Sequence, residues 1–242
     1  MRLTVITLLA LLLAFAAVRV LAANLPGGLV PAEIDAVTQS IGFSATSRLL
    51  RSAETYPSWP GAKLGMELAV APSRGIGGLG NGTGSIPSAH LVPRFFIAKG
   101  LFTDIELVLS FFPMLGPTGF KSMGGFLKWS YHRESTTWLA SAAYFGYTSI
   151  TAYNGDYEGS NAEFGTVFSK DLVRLKPFAG GGILFAQGTV ARTLAATSAR
   201  SSLQATLHLF LGAELEFPVN VTFQFDLMNL VPMATLSVAK KF

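Results

Sequence analysis

The 242-residue sequence predicts an all-β protein, a transmembrane antiparallel up-and-down β-barrel of about ten strands with a short N-terminal helix. Three observations lead to this fold class: side chains that alternate between apolar and polar, high hydropathy outside any helical span, and an even number of strand-like segments. A closed barrel in a bilayer accounts for all three, because one face of each strand meets lipid and the other faces a polar lumen.

The alternation is clearest in residues 203–242. After the first strand-like run, Pro218 interrupts the pattern, which then restarts at Val219. A period of two is typical of a β-strand with one apolar and one polar face. In the first run the odd positions are Leu203, Ala205, Leu207, Leu209, Leu211, Ala213, Leu215 and Phe217.

The composition supports a membrane environment and excludes several classes of protein. Half of the residues are apolar, 13% are charged, and the mean hydropathy is +0.45. After the N-terminus, no run reaches the roughly 20 apolar residues of a spanning helix. The net charge falls from +4 to +2 if Arg2 and Arg19 are removed with a leader, which is too little to indicate nucleic-acid binding. The sequence has no cysteine, which excludes disulfides and a lipidated cysteine.

Residues 1–23 are predicted to be an export signal. Arg2 supplies the positive charge, 3–18 form the apolar region, and small residues near Ala23 provide a cleavage site. The alternative is an uncleaved anchor, but Arg19 ends the apolar run before it is long enough to span.

Ten candidate strands follow from residue 62 onward, which predicts the barrel domain at 62–242. Short connections near 100–101, 133–135, 172–174 and 218 alternate with longer ones at 72–88, 113–119, 150–160 and 189–202, while the last connection, near 230–232, is brief. The candidate strands are 62–71, 89–99, 103–112, 120–132, 137–149, 161–171, 175–188, 203–217, 219–229 and 233–242.

The leader and this strand series resemble those of Gram-negative outer-membrane β-barrel proteins. The most specific element is the closing strand, in which Leu236 and Val238 alternate toward a terminal Phe242. This pattern resembles the signal that the barrel assembly machinery recognises, although Lys240 departs from it. The resemblance implies an outer-membrane location, short periplasmic turns and long external loops. It implies no catalytic residue.

Aromatic residues cluster at the expected periplasmic ends of the strands. Such girdles mark the interface between membrane and water. The predicted girdle consists of Trp129, Tyr131, Trp138, Phe217 and Phe242.

The segment 24–61 precedes the barrel and is predicted to lie in the periplasm or to plug the lumen. Residues 31–40 form a short amphipathic helix in this prediction, because Ile34, Val37 and Ile41 share one stripe. Residues 43–51 are a possible strand. Together with one more segment they would give twelve strands instead of ten.

Motifs that suggest chemistry are weak, and neither a cofactor nor a metal is expected. Residues 75–80 satisfy G-x-G-x-x-G, but the glycine-rich continuation cannot begin the helix that a dinucleotide site needs, which favours an external loop. His132 lies at the wrong end for chemistry on surface lipid. Asp156 and Glu158 are the only acidic pair expected at the rim, so an enzyme is not expected.

Alternation places both signs of charge in the lumen. A barrel of about ten strands is narrow, so we expect these charges to pair and leave at most a narrow polar path, with Phe96, Phe126 and Phe210 between them. The predicted lumen network consists of Lys63, Glu67, His90, Arg94, Asp104, Glu106, Lys128, Glu163, His208, Glu214, Glu216 and Asp226.

The sequence therefore predicts an outer-membrane protein of structural or narrow-channel, porin-like type. A carrier of small hydrophobic ligands, with 31–52 as an internal plug, is the alternative, and a surface lipid-modifying enzyme is the third possibility. The expected partners are outer-membrane lipid and lipopolysaccharide, whose phosphates Arg192 and Arg200 would meet, and the assembly machinery.

Overall fold

The computed structural model describes residues 24–48, 51–54, 61–73, 75–84, 86, 88–102, 104–112, 119–133 and 138–242, without the side chain of His90. The predicted export signal lies outside the described residues. Among the described residues, no helix has the length and hydropathy that crossing a bilayer requires.

Ten antiparallel strands form one closed barrel. Each strand pairs with its neighbours in sequence, and β1 pairs with β10 to close the cylinder. The predicted number of strands is confirmed, and the twelve-strand alternative is wrong. The strands are β1 (Ala62–Pro72), β2 (Ala89–Phe102), β3 (Ile105–Phe112), β4 (Lys121–His132), β5 (Ala140–Ala152), β6 (Tyr157–Ser169), β7 (Leu175–Val190), β8 (Gln204–Leu215), β9 (Asn220–Met228) and β10 (Val231–Lys241).

The two faces of each strand differ as the alternation predicts. On β8, Leu207 and Leu211 point outward, whereas His208 and Phe210 are buried inside the barrel. Closure leaves no free strand edge, so every backbone group of the wall can pair within the sheet. The outer surface is therefore an apolar belt around a polar interior.

The connections at one end are short, and we take that end as periplasmic because barrels of this kind have short periplasmic turns. The connection between β5 and β6 differs from the prediction of a long loop at 150–160. It is a turn at 153–156, in which Asn154 and Gly155 have positive φ. Glu158 therefore lies in β6. The polar sequence of this stretch suggested a loop. It belongs instead to strands that extend past the apolar belt, where outward-facing side chains need not be apolar.

One helix, α1 (Pro31–Ser44), lies in the external mouth of the barrel. Pro31 is pre-organised for the first helical turn, and the Val30 N–H donates to the carboxylate of Glu33 at 3.0 Å. The predicted strand at 43–51 is wrong: its described part is the end of α1 followed by irregular chain. A closed barrel offers no edge with which such a strand could pair.

Candidate functional site: a lumen filled by the N-terminal segment

The segment before β1 runs through the lumen from the external mouth to the periplasmic end. We call residues 24–54 the plug, of which 24–48 and 51–54 are described. At the mouth, Leu29 N–H donates to Leu194 O of the loop between β7 and β8. At the other end, the Lys176 ammonium lies 3.0 Å from the carboxylate of Glu54. The interior is thus occupied along its length.

Small residues make room for α1 at the mouth. A Cβ on Gly188 of β7 would lie 2.8 Å from Thr38 Oγ1, and a Cβ on Gly42 of the helix would lie 3.3 Å from Ala186 Cβ. Next to these positions on the same buried face of the helix, Ile34, Val37 and Ile41 pack in an apolar cluster with the mouth of the wall. The wall is shaped to seat this helix.

Two carboxylates of α1 tie it to the external loops. Glu33 accepts from Gly80 N–H at 2.9 Å, and Asp35 accepts from Ser202 N–H at 2.8 Å. The backbone N–H groups of Val30 and Gly80 lower the pKa of Glu33 below its ordinary value of 4.5. The glycine-rich stretch 75–80 is therefore part of the loop that fastens the plug. Gly80, with φ 53°, approaches Gly27 O so closely that a Cβ would collide.

The middle of the plug meets the wall through arginines. Arg94 of β2 pairs with Glu67 at 2.6 Å and also donates to Ala45 O of the plug at 2.5 Å. Arg48 of the plug lies 3.3 Å from Asp226 of β9, and both side chains are fully buried. Buried charges of this kind are tolerated only when they are paired and hydrogen-bonded.

His208 lies between two carboxylates. Its Nδ1 is 2.7 Å from Glu163 and its Nε2 is 2.9 Å from Asp226. Tyr144 donates to the same Glu163 at 2.5 Å. Both ring nitrogens are therefore engaged, which leaves neither to activate a hydroxyl nucleophile.

A second group of charges lies nearer the periplasm. Arg51 of the plug pairs with Glu106 at 2.6 Å, and Lys128 lies 3.5 Å from the same carboxylate. Lys128 also donates to two backbone carbonyls of the plug, at Ser52 and Glu54. These contacts hold the irregular chain below α1 in a fixed course.

The charges of wall and plug are complementary. The buried carboxylates of the described wall are Glu67, Glu106, Glu163, Glu214 and Asp226, and its buried cations apart from His208 are Lys63, Arg94 and Lys128. Five carboxylates thus face three lysine and arginine side chains, besides His208 between Glu163 and Asp226. Arg48 and Arg51 of the plug bring the number of buried lysines and arginines to five as well.

Most residues of the predicted lumen network lie where alternation puts them. Asp104 does not: it lies in the turn after β2 and pairs at the surface with Arg133 at 2.8 Å. Glu216 is also misplaced, because it lies past the end of β8 and pairs with Lys241 at the rim. Both residues follow the last inward-facing position of their strands. Beyond that position the alternation of the strand no longer predicts which way a side chain points. The nine that are buried in the lumen are Lys63, Glu67, Arg94, Glu106, Lys128, Glu163, His208, Glu214 and Asp226.

Sequence reasoning missed Arg48 and Arg51 as lumen residues. They lie in the stretch interpreted as a possible strand, and their partners in the wall are far away in sequence. Two arginines within an otherwise apolar and small-residue stretch are a signal, because such charges need buried partners if the stretch is enclosed.

The residues of the predicted girdle all lie at the periplasmic end and are largely exposed on the outside. Beside them, Lys240 points outward, and its Nζ lies 5.3 Å from the ring centroid of Phe242. Lys240 therefore makes a cation–π contact at the interface.

The apolar belt, the girdle and the polar interior occur together in this barrel. The chain is folded as an outer-membrane β-barrel. Its surface suits the bacterial outer membrane, where barrels of this architecture reside.

No family model matches the sequence of this barrel, and no curated protein matches it. Among solved structures it is similar to the N-terminal β-barrel domain of OprF from Pseudomonas aeruginosa, with a TM-score of 0.35 and 11% identity over 78% of this chain and 100% of that one. Ail of Yersinia pestis in a phospholipid nanodisc gives 0.36 and 10% over 75% and 99%. Neisserial surface protein A gives 0.28 and 12% over 74% and 93%. Nothing about ligands or activity follows from similarities this distant.

Among the described residues, no group of His, Cys, Asp and Glu side chains has the arrangement of a metal site.

Proposed function

We propose that this barrel is a narrow channel of the outer membrane that its own N-terminal plug holds closed. The observation that carries the proposal is the course of the plug, which fills the lumen from the external mouth to the periplasmic end. In this proposal the plug, while it is in place, closes the lumen to solutes. A path forms only when the plug moves.

The chemistry between plug and wall favours a plug that moves over one that permanently fills the barrel. A permanent filling is stabilised at least as well by apolar side chains as by buried ion pairs, which carry a desolvation penalty. Below α1, the plug contacts the wall through Arg48, Arg51 and backbone carbonyls, and the wall there keeps polar side chains that water can solvate once the plug leaves. A polar, hydratable wall is what a channel requires.

The proposal assigns no chemical reaction to the protein. His208, the only inward histidine whose side chain is described, has both nitrogens occupied by carboxylates.

We further propose that the apolar belt contacts outer-membrane lipid, that Arg192 and Arg200 of the external loop contact lipopolysaccharide phosphates, and that Leu236, Val238 and Phe242 guide assembly.

A reversible lock on the plug tests the channel. Ser47 Oγ of the plug lies 2.5 Å from Ser110 Oγ of β3, and the native chain has no cysteine. The double variant Ser47→Cys, Ser110→Cys therefore places two thiols at a separation that a disulfide can bridge. Planar-bilayer recordings of the full chain should show discrete conductance when the pair is reduced and none when it is oxidised.

The single variant Ser47→Cys is the matched control, and oxidant should leave its conductance unchanged. Conductance that persists in the oxidised double variant contradicts the role of the plug as the gate. Silence of the wild-type protein and of both variants contradicts the channel itself and leaves a purely structural barrel.

A further inference from the structure

The plug helix does not fill the external mouth evenly. It packs mainly against β7, where Gly42 and Gly188 allow close approach. On the opposite side, between α1 and the ends of β9 and β10, a cavity of about 210 Å³ remains. The cavity opens to the outside beside the brief turn at 229–230, which is the shortest external connection.

The floor of this cavity is formed by apolar side chains, one of which, Met233, accepts a hydrogen bond on its sulfur from Arg48, whose charge is paired with Asp226. Phe43 of the helix, Met228 of β9 and Met233 of β10 are buried in one cluster, against which Val231 packs. Methionine side chains are flexible and polarizable, so two of them make a surface that adapts to an apolar ligand.

The rim of the cavity is polar and uncharged. Gln39 of α1 accepts a hydrogen bond from Asn229 Nδ2 at 3.2 Å, so the two amides meet across the entrance. Ser40 also lines the cavity, and its buried Oγ has no hydrogen-bond partner among the described residues. None of the described residues that line the cavity is charged. Such a rim favours a polar, neutral group.

The size of the cavity limits the occupant. A group the size of a water molecule takes a share of about 30 Å³ in a condensed phase, so the cavity holds about seven such groups in a row or cluster. A methylene is of similar size. The apolar floor gives water few partners, whereas an alkyl chain restores the missing van der Waals contacts there.

We propose that this cavity binds one short, single-chain amphiphile with an uncharged head. Its alkyl tail of about seven carbons packs on Phe43, Met228 and Met233, and its head hydrogen-bonds the amides of Gln39 and Asn229 and the hydroxyl of Ser40. The site lies between the helix and the wall. It belongs to the barrel with its plug in place and does not require that the plug ever move.

Cysteine labelling tests the site, because the native chain has no thiol. Ser40→Cys places a single thiol in the cavity, and Ser198→Cys places one on an exposed external loop. Both full-length proteins, in amphipol without detergent, are labelled with alkyl methanethiosulfonates of one to ten carbons. The ratio of the two labelling rates cancels the partitioning of each reagent into the amphipol.

The ratio should rise with each added methylene, by at most about fourfold per group, because burying a methylene is worth about 0.8 kcal/mol. It should reach its maximum near seven carbons and fall for longer chains. A ratio that does not change with chain length contradicts the site. A ratio that still rises at ten carbons contradicts a cavity of limited size.

A filled cavity provides the second measurement. Ala36 lies one helical turn before Ser40 and lines the same cavity, so Ala36→Phe in the Ser40→Cys background should remove the dependence on chain length. For the head group, 1-octanol should slow labelling of Ser40→Cys, and octanoate at the same concentration should not. Equal protection by octanoate would contradict the preference for an uncharged head.

Discussion

Single residues of the lumen are held by partners that only the closed barrel brings near them. Arg48 and Asp226 are 178 positions apart in sequence and 3.3 Å apart in the structure. Asp226 also contacts His208 and accepts from Gln224 at 2.5 Å. An arginine in such a network stabilises the fold mainly because its removal leaves the carboxylate buried without its full set of partners.

The substitution Arg48→Met tests this pair, because methionine keeps much of the length of the side chain without its charge. We expect the free energy of unfolding to fall by about 3–5 kcal/mol, the usual cost of breaking a buried ion pair. Urea titration in detergent, followed by the gel mobility of unboiled samples, measures the change.

Arg133→Met is the matched control, since Arg133 pairs with Asp104 at the surface and its side chain is 71% exposed. Its cost should be about 1 kcal/mol or less. Equal losses for the two variants would show that Arg48 contributes no more than a surface arginine.

At the scale of elements, α1 is the part of the plug whose attachment to the external loops depends on pH. Glu33 has a lowered pKa because Val30 and Gly80 N–H groups donate to its carboxylate. A carboxyl group with a depressed folded-state pKa stabilises the fold above its unfolded pKa, and this stabilisation is lost as the pH falls through the folded value. The helix should therefore loosen below about pH 4.5, the ordinary value for this group.

Hydrogen exchange of residues 31–44 measures this loosening. After correction for the intrinsic pH dependence of exchange, protection in the wild-type protein should drop between about pH 5 and pH 3. This is the range in which ordinary carboxyl groups titrate. Glu33→Gln should show weaker protection at pH 7 and a smaller further drop. An identical acid response in the variant would assign the effect to another group.

The strands were predictable from sequence, and the course of the plug was not. The alternation from Leu203 to Phe217 is a local signal, because lipid contacts every second side chain wherever the strand lies in the barrel. The path of 43–54 depends on distant partners such as Glu106 and Asp226, which no local period encodes.

The turn at 153–156 was not predicted for a different reason. Strand segments beyond the apolar belt lose the apolar signal while they keep their pairing.

At the scale of the whole molecule, the barrel wall and the plug carry complementary charge. The buried carboxylates of the described wall exceed its buried lysines and arginines by two, and Arg48 and Arg51 of the plug balance them. Within the proposed channel, removal of the plug exposes a lumen with excess negative charge. Rings or linings of carboxylates favour cations.

We therefore expect the open channel to prefer cations. The reversal potential of the reduced Ser47→Cys, Ser110→Cys protein in a tenfold KCl gradient should have the sign of potassium selectivity. The size of the potential should shrink at high salt, because screening shortens the reach of the charges to about 3 Å at 1 M. A reversal potential of chloride sign would mean that the excess carboxylates do not line the conducting path.

The direction of the plug has a consequence for biogenesis. Asn24 lies at the external mouth, and the described plug reaches the periplasmic end at Glu54, where β1 also begins. The last strand, β10, closes the barrel by pairing with β1. Once β1 and β10 have paired, the lumen is reached only through its two ends, so the plug either enters before that pairing or passes through one of the ends. An epitope tag attached at Asn24 should in either case be displayed on the cell surface.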